Sequence, residues 1–526
     1  MDRIPSSHHH ARRRFSILNS PFSIHNPTAL TALDLIIIFG YLAGILIAGG
    51  LFGRRQDSTS RYFFGGREMS WPAISASIVA TETSTITFIS VPGIAYARGG
   101  NFTFLQLVFG YLLGRVVISA LFIPRYFEGK LSTVYQLLQE RFGGRVRGLA
   151  ASLFITARTV GDGVRLLLTA FVLAAVYRAF QASADAEAVI FWSIVLVGVV
   201  MIVFTFMGGI EAVVWIEVVQ LGIYVAGALA AAVVLVFAIP GGAGEAIALG
   251  RAFEKFRLFD FAFDIHRSYS FWAGLIGGCF LTMSTHGTDQ FMVQRYLCTS
   301  SPRKATLALF SSGVIVLVQF IGFLFIGILL FAFYRPDRIA GYATGAAAAP
   351  FAAGDQVFAD FITNHLPTGL SGLVVAAILA AALSSSLSAI ASTAVTDLYT
   401  PLARGRTDRH YLGVSRIIVV VAGIAQIAFA LLLRNSDRSA LDTALGVASL
   451  INGPILGVFL LSAVGRGGPA AALIGMTAGL AAVLPLRFAT TVAWPWYAVV
   501  GALVTLAAGV VSSKLKIENG EARNSR

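Results

Sequence analysis

The stretch ATETSTITFISVPG, residues 80–93, places polar groups in the middle of an apolar segment. The surrounding segment, residues 72–96, has at least the roughly 20 residues that a helix needs to cross a bilayer. Glu82 is its one carboxylate, hydroxyl side chains surround it, and Pro92 and Gly93 follow. A charge inside lipid is costly, and such a run makes a poor continuous helix. The stretch therefore predicts a membrane span that unwinds near its centre, with free backbone carbonyls facing a cavity.

A second apolar segment, residues 270–294, carries a matching polar interruption. Its polar side chains are Thr282, Ser284, Thr285, His286, Thr288, Asp289 and Gln290. The segment is the fifth span after the first interrupted one, so the pair predicts two repeats of five spans. Corresponding interruptions in two repeats indicate the central binding site of a transporter. The alternative is that both are ordinary polar contacts between packed helices.

The composition excludes a soluble protein. Of the 526 residues, 56% are hydrophobic and 12% charged, whereas about a quarter of a soluble chain is charged. The net charge of +13 comes from 39 basic and 26 acidic residues. The basic residues lie in short loops and form no single stripe, so we expect no nucleic-acid partner. Two cysteines, Cys279 and Cys298, provide no disulfide framework.

We expect an all-α polytopic membrane protein with about thirteen transmembrane helices. The spans lie near residues 31–53, 72–96, 103–126, 148–178, 188–207, 212–238, 270–294, 306–334, 369–396, 411–433, 439–463, 468–487 and 493–512. The expected segments are a disordered polar tail at 1–28, an extra first helix at 31–53, five-helix repeats at 72–238 and 270–463, two terminal helices at 468–512, and a cytoplasmic tail at 513–526. An amphipathic surface helix is expected around Phe358, Phe361 and Ile362.

Basic residues in short loops predict the orientation in the membrane. The loops after the first, third, seventh and ninth spans carry many of them, and these loops share one side if the spans alternate. They include Arg54, Arg67, Arg145, Arg295, Arg303, Lys304 and Arg404. We therefore expect the N-terminus outside and the C-terminus in the cytoplasm, in a plasma (inner) membrane.

Ionisable residues inside spans are candidates for function. Arg158, Asp162 and Arg165 share one face of the fourth span, four and three residues apart. Two roles are open: a ladder that neutralises itself, or a surplus positive charge that meets a solute carboxylate.

Glu217 in the sixth span and a serine run in the ninth span suggest a cation site. The run is LSSSLS, residues 383–388. Carboxylate, hydroxyl and carbonyl oxygens are hard ligands that suit an alkali cation better than zinc or copper. A buried glutamate can equally bind a proton.

Several stretches resemble the sodium:solute symporter family, which includes sodium/sugar, sodium/proline and sodium/sialic acid symporters. They are ATETSTITFISVPG (80–93), MGGIEAVVWIEVVQ (207–220), HGTDQFMVQRYL (286–297), LPTGLSGLVVAAILAAALSSS (366–386) and GPILGVFLL (453–461). The resemblance implies a leucine-transporter-type inverted 5+5 repeat, with one extra helix before it and two after. It also implies alternating access driven by a sodium gradient.

The resemblance further implies two cation positions. Sodium would bind backbone oxygens of Ala80, Thr83 and Ala381 and the hydroxyls of Ser384 and Ser385. A second position, found in some members, would use Glu217, Ser384 and Ser388. Na⁺ is the only metal expected.

The expected solute site lies between the two interruptions, and its Ser84, Thr87, Phe102 and Gln106 resemble the pocket of the sialic acid transporters. Arg158 or Arg165 would bind a carboxylate, which indicates an acidic sugar or another organic anion. Glu82 could instead repel an anion or bind an amine. The full set of candidates is Glu82, Ser84, Thr87, Phe102, Gln106, Arg158, Asp162, Arg165, Thr282, Thr285, His286, Asp289 and Gln290.

These features predict sodium-coupled symport of a small polar organic solute by a monomeric unit in the lipid bilayer, and no enzymatic activity. Three alternatives remain open: a proton-coupled or uncoupled carrier of the same fold, a transporter-like sensor, and a polytopic membrane enzyme. The enzyme has no supporting motif of the HExxH or nucleophile-elbow kind.

Overall fold

The computed structural model describes residues 31–53, 57–129, 131–181, 183–338, 351, 354–380, 386–434 and 440–524. Within these ranges the regular structure is helical, without β-strands. The predicted tail at 1–28 lies outside the described residues, as do Ala381, Ser384 and Ser385.

The α-helices are numbered in chain order. They are α1 (Ala32–Gly53), α2 (Thr59–Phe64), α3 (Trp71–Glu82), α4 (Thr85–Tyr96), α5 (Leu105–Leu121), α6 (Ile123–Phe127), α7 (Gln136–Phe142), α8 (Gly144–Phe180), α9 (Ala186–Ala238), α10 (Gly242–Ala252), α11 (Gly278–Thr282), α12 (Gln290–Leu297), α13 (Pro302–Tyr334), α14 (Gly354–Asn364), α15 (Leu370–Ala380), α16 (Leu387–Thr393), α17 (Asp408–Leu433), α18 (Ala440–Val464), α19 (Pro469–Ala489) and α20 (Pro495–Asn524). Short 3₁₀ turns cover Gly65–Arg67, Phe102–Phe104 and Pro336–Arg338, and π-helical turns cover Ala273–Gly277, Met283–Gly287 and Ala394–Tyr399.

Among the described residues, eight helices are long and apolar enough to cross a membrane, or nine if the bent pair α3 and α4 is one span. This chain is therefore a multi-pass membrane protein. The number is below the thirteen expected, because some predicted spans are divided or joined and others, such as 369–396, cross residues outside the described ranges. The seventh span consists of short π- and α-helical pieces, and the fifth and sixth spans form the single helix α9.

Helix α9 joins two spans through a turn at Gly209. The helix has 53 residues, or about 80 Å at 1.5 Å per residue, which is more than twice the thickness of the hydrocarbon layer. Gly209 has φ 59° and ψ −162°, a conformation that a side chain disfavours. The turn lies between the two predicted spans, 188–207 and 212–238.

The broken spans lie inside the helix bundle. Helix α13 packs on α3, α4 and α5, while α17 packs on α8 and α9. Helix α1 packs on α9 and α15, and α18, α19 and α20 pack on one another. All eight residues of α12 are buried, so the inner part of the seventh span is surrounded by protein.

Two elements differ from expectation in their surroundings or length. Helix α14 forms where an amphipathic surface helix was expected, but Phe358, Phe361 and Ile362 are buried and the helix packs on α4. The last helix extends to Asn524, past the expected end of the last span at residue 512.

Candidate functional site

The first interrupted span breaks between α3 and α4. Helix α3 ends at Glu82, and the axes of α3 and of Thr87–Tyr96 differ by 59°. Thr83 has ψ 58°, outside the helical range, and Ser84 is the N-cap of α4, where its side chain accepts a hydrogen bond from Thr87 N. The hydroxyl of Thr87 donates to the carbonyl of Glu82 at 3.0 Å. The break is located where the hydroxyl-rich run predicts it.

The second interrupted span breaks after the π-helical turn Met283–Gly287. Thr288 has φ −125° and ψ 1°, and Asp289 is the N-cap of α12. The carboxylate of Asp289 accepts a hydrogen bond from Phe291 N at 2.9 Å. Helix termini leave backbone groups without intrahelical partners, so each break brings unpaired backbone groups to the centre of its span.

Three spans meet at the carboxylate of Glu82. Arg115 on α5 places its Nη2 2.6 Å from both carboxylate oxygens. His286 in the second broken span places its Nε2 2.6 Å from Oε1, and its Nδ1 lies 2.9 Å from the hydroxyl of Thr285. The positive charge of Arg115 therefore compensates the carboxylate of Glu82 inside the bundle.

Arg158 joins α8 to the second break. Its guanidinium forms an ion pair with Asp289, with Nε 3.0 Å from Oδ2. Its Cζ lies 4.6 Å from the ring centre of Phe291, and Arg295 contacts the same ring at 4.4 Å. The side chain of Arg158 is 19% exposed, so the pair is only partly withdrawn from solvent.

Asp162 and Arg165 complete the ladder on α8. The carboxylate of Asp162 accepts hydrogen bonds from Ser386 N at 2.8 Å and from its hydroxyl at 2.6 Å. Ser386 precedes α16, so Asp162 supports the start of that helix. Arg165 is half-buried on the same face of α8.

Ala80 and Thr83 are the two expected sodium ligands that the structure describes. Both are buried beside the first break. The hydroxyl of Thr83 donates to the carbonyl of Val79 at 2.7 Å and also contacts Oε1 of Gln319 at 2.8 Å, whereas the expected ligand is the backbone oxygen. The other expected ligands, Ala381, Ser384 and Ser385, lie outside the described residues.

Glu217, expected at the second cation position, is fully buried and paired with Arg295 at 2.6 Å. Thr81 donates to its Oε1 at 3.0 Å, and Ser77 donates to Oε2. Arg295 also donates to the hydroxyl of Ser77 at 2.9 Å. A buried ion pair with further hydrogen bonds satisfies the carboxylate without a bound cation.

Ser388, like Glu217, contacts a residue of α12. Its hydroxyl accepts a hydrogen bond from Nε2 of Gln294 at 3.1 Å. Gln294 also donates to the carbonyl of Phe63 at 2.8 Å. Glu217 and Ser388 thus contact neighbouring residues of one helix, while Ser384 lies outside the described residues.

Phe102 and Gln106 contact a loop and not the breaks. Phe102 packs edge-on against Phe256 with ring centres 5.6 Å apart. Gln106 donates to the carbonyl of Tyr269 at 2.8 Å and accepts from Asp260 N at 3.0 Å. These contacts occupy the polar atoms of Gln106, so the structure does not bring these two candidates together with Glu82.

Thr282 and Gln290 make packing and loop contacts. Thr282 is buried against α5, where it faces Gly114. Gln290 accepts a hydrogen bond from Val134 N at 2.8 Å and donates to the carbonyl of Ser132 at 3.0 Å. Gln290 therefore attaches the start of α12 to the loop before α7.

Sequence reasoning missed two buried arginines. Arg115 lies inside the third span, and the search for charges at mid-span would have found it. Arg295 was assigned to a loop that orients the chain, but it is fully buried in α12. Hydropathy ends the seventh span too early, at residue 294, because the residues of α12 are partly polar although they are buried inside protein.

Comparisons with known proteins agree with this architecture. A model of the sodium:solute symporter family matches residues 62–479. The chain is 30% identical over 497 residues to the sodium/sialic acid symporter SiaT of Proteus mirabilis, covering 91% of this chain and 94% of that protein. It is also 30% identical over 450 residues to the human sodium/iodide cotransporter, covering 84% and 66%.

One solved structure is similar over nearly the whole chain. It is a sodium-coupled sialic acid symporter in a substrate-bound, outward-open state, with TM-score 0.80 and 29% identity over 92% of this chain and 98% of that one. The likeness supports the inverted 5+5 repeat, in which α3–α4 and the π-helical seventh span are equivalent broken spans. The chain belongs to the sodium:solute symporter family.

Proposed function

We propose that this protein transports a small organic anion, an acidic sugar of the sialic acid type, together with Na⁺ by alternating access. The observation that carries the proposal is the pair of broken spans with Arg158 bound at the second break, in a chain of this family. Arginine binds carboxylates through two parallel hydrogen bonds, and Arg158 already binds one, that of Asp289. A solute carboxylate would compete with Asp289 or bind at Arg165, on the same face of α8.

Sodium would bind at the first break. Backbone oxygens of Ala80 and Thr83 lie where α3 ends, and Ala381, Ser384 and Ser385 would add oxygens from the ninth span. Such neutral, hard oxygens suit Na⁺. Because the ligands come from two different spans, a bound ion would stabilise the conformation that holds these spans together, which is what coupling requires.

The second cation position depends on the conformation. In this structure the charge of Glu217 is compensated by Arg295, so a cation there would have to replace the guanidinium. We propose that Glu217 serves first as the partner of Arg295 and holds α12 against α9. Ser384 and Ser388 would accept a cation only after this pair opens.

Two ion pairs would close one side of the transport path. Arg158–Asp289 joins α8 to the start of α12, and Glu217–Arg295 joins α9 to its end. Gln290, beside Asp289, and Gln294, beside Arg295, hydrogen-bond to the basic loops after the third and first spans. We propose that this side is cytoplasmic, with the N-terminus outside. Opening to that side would require both pairs to separate. We further propose that the chain works in the plasma (inner) membrane as a monomer.

Competition for uptake tests the solute class. Proteoliposomes with an inward sodium gradient would receive radiolabelled N-acetylneuraminate and a tenfold excess of unlabelled sugar acids, monocarboxylates, amino acids or neutral sugars. We expect sugar acids to compete and neutral sugars of the same size to have no effect. Competition by neutral sugars and not by sugar acids would contradict an anionic solute.

Exchange of two serines tests the sodium site in the same vesicles. Replacing Ser384 and Ser385 by alanine should raise the sodium concentration for half-maximal uptake at least tenfold, since two of the proposed ligands are lost. The matched control is Ser513→Ala, which removes a hydroxyl that donates to the carbonyl of Val510 within α20. Unchanged sodium dependence in the double variant would contradict the proposed ligands.

A further inference from the structure

Glu82 lies at the proposed binding site, where its charge would affect whether the solute is an anion or a cation. It is the last residue of α3, directly at the first break, beside the proposed sodium ligands Ala80 and Thr83. A free carboxylate here would attract amines and repel the organic anion of the proposed function, on which this inference rests. The surroundings of Glu82 show that its carboxylate is not free.

Arg115 on α5 binds Glu82 inside the helix bundle. Its side chain has 0% exposure, and Nη2 is 2.6 Å from each carboxylate oxygen. Among the described residues, its Nε and Nη1 have no hydrogen-bond partner. Burying an arginine in this way is costly unless an opposite charge accompanies it. Glu82 provides that charge, so each residue accounts for the presence of the other.

Helix α13 has a glycine, Gly313, where it packs against this arginine. A Cβ at Gly313 on α13 would lie 2.8 Å from Cδ of Arg115 and 2.9 Å from its Nη1. It would also lie 2.9 Å from Cδ2 of Leu112. A larger residue at that position would therefore require the side chains of Arg115 and Leu112 to shift.

His286 ties the second broken span to the same carboxylate. Its Nε2 lies 2.6 Å from Oε1 of Glu82. The hydroxyl of Thr285 donates to the carbonyl of Leu281 at 2.9 Å, and Nδ1 of His286 lies 2.9 Å from the same hydroxyl oxygen. The cluster Glu82–Arg115–His286 thus connects three spans: the first broken span, α5 and the second broken span.

We propose that Arg115 and His286 sequester the carboxylate of Glu82 inside the bundle, which lets the site accept an anionic solute and joins the two broken spans into one moving unit. Arg115 is then a positioning and specificity-determining residue. It acts on the solute through Glu82 and not by contact. Glu82 serves as its counter-ion and not as a ligand for an amine.

A charge-balanced double variant tests the proposal. Arg115→Met keeps much of the side-chain volume and removes the arginine that compensates the charge of Glu82. Glu82→Gln in the same chain removes the stranded charge. We expect Arg115→Met to raise the KM for N-acetylneuraminate at least tenfold, and the double variant to recover most of that loss. The matched control is Arg98→Met, which changes an exposed arginine of the loop after α4.

The solute panel separates charge from shape. In Arg115→Met, uptake of an uncharged sugar analogue, N-acetylmannosamine, should fall less than uptake of the acid. A double variant as impaired as Arg115→Met would overturn the proposal, because the arginine would then be needed for packing alone. Equal losses for acid and neutral analogue would overturn it as well.

Thermal unfolding provides a readout that needs no solute. In detergent, Arg115→Met should lower the melting temperature by several degrees, and Glu82→Gln in that background should restore most of it, as expected for two coupled charges. If wild-type vesicles take up no anion, the proposed function fails while this melting cycle can still support the cluster. Additive melting shifts would contradict sequestration itself.

Discussion

At the scale of single residues, several buried charges among the described residues are held in ion pairs, and the pairs have different consequences. Removing one partner of a buried pair costs about 3–5 kcal/mol, because the other charge remains buried and uncompensated. Glu217–Arg295 is fully buried, whereas Arg158 of the Arg158–Asp289 pair is partly exposed. The first pair should therefore dominate stability, and the second should be the one that opens and closes during transport.

The two arginines of α8 should differ in their effect on kinetics. Arg158→Gln should lower kcat and also raise the KM, because it removes both the closing contact to Asp289 and a proposed partner of the solute carboxylate. Arg165→Gln should raise the KM for N-acetylneuraminate roughly tenfold, equivalent to about 1.4 kcal/mol of lost solute binding. Initial uptake rates over a range of solute concentrations separate the two. Arg145→Gln, an exposed arginine at the start of α8, is the control. Wild-type KM in the Arg165 variant would contradict a carboxylate contact there.

Lys255 makes the stability depend on pH. It lies in the loop after α10, is 1% exposed, and donates to the carbonyls of Ala95, Tyr96 and Ala97 at the end of α4. Burial lowers the pKa of Lys255 from 10.5 to about 8. Arg251, Glu254 and Arg257, which flank Lys255 in the sequence, are exposed, as is Arg98, which follows the carbonyls that Lys255 binds.

The sign of this dependence follows from proton counting. Between pH 8 and 10 the unfolded chain holds the lysine proton and the folded chain releases it, so this group makes the free energy of unfolding rise with pH, by up to about 1.4 kcal/mol per unit. Lys255→Arg stays charged and should lack this contribution. The measurement is the difference in melting temperature between wild type and Lys255→Arg at pH 7.5, 8.5 and 9.5. A difference that stays constant across this range would contradict the lowered pKa.

At the scale of elements, the break in the first span is held by Thr87, whose hydroxyl donates to the carbonyl of Glu82. Thr87→Val keeps the shape and removes this hydrogen bond, which should cost about 1 kcal/mol and lower the affinity for sodium. Sodium-dependent protection against thermal unfolding measures both effects. Thr477→Val removes a similar hydroxyl–carbonyl bond on the exposed side of α19 and serves as control. A Thr87 variant that matches this control would contradict a role for the break.

The breaks themselves could be predicted from sequence, and their partners could not. Glu82, His286 and Asp289 were recognisable because polar groups inside an apolar span must be satisfied by other protein groups. Which helix supplies each partner depends on packing between residues far apart in sequence. Arg115 and Arg295, the partners of Glu82 and Glu217, illustrate this limit. The π-helical turns of the seventh span carried no signal in hydropathy.

At the scale of the whole molecule, the repeat order could be read from the spacing of the two interruptions. The boundaries of spans were less predictable where a span is broken or joined, as α9 shows at Gly209. The solute site was expected to include Phe102 and Gln106, which instead contact the loop before the seventh span. Motif position along the chain indicates which span carries a residue but not which neighbour it faces.

Sodium-driven accumulation of the solute tests directly whether transport is coupled to sodium. Proteoliposomes containing the full chain would be diluted into radiolabelled N-acetylneuraminate with Na⁺ outside only, and uptake would be compared with choline outside and with Na⁺ on both sides. We expect N-acetylneuraminate to accumulate transiently above its external concentration with the inward sodium gradient, and only to equilibrate when the gradient is absent. Uptake that proceeds equally well in choline would contradict sodium coupling.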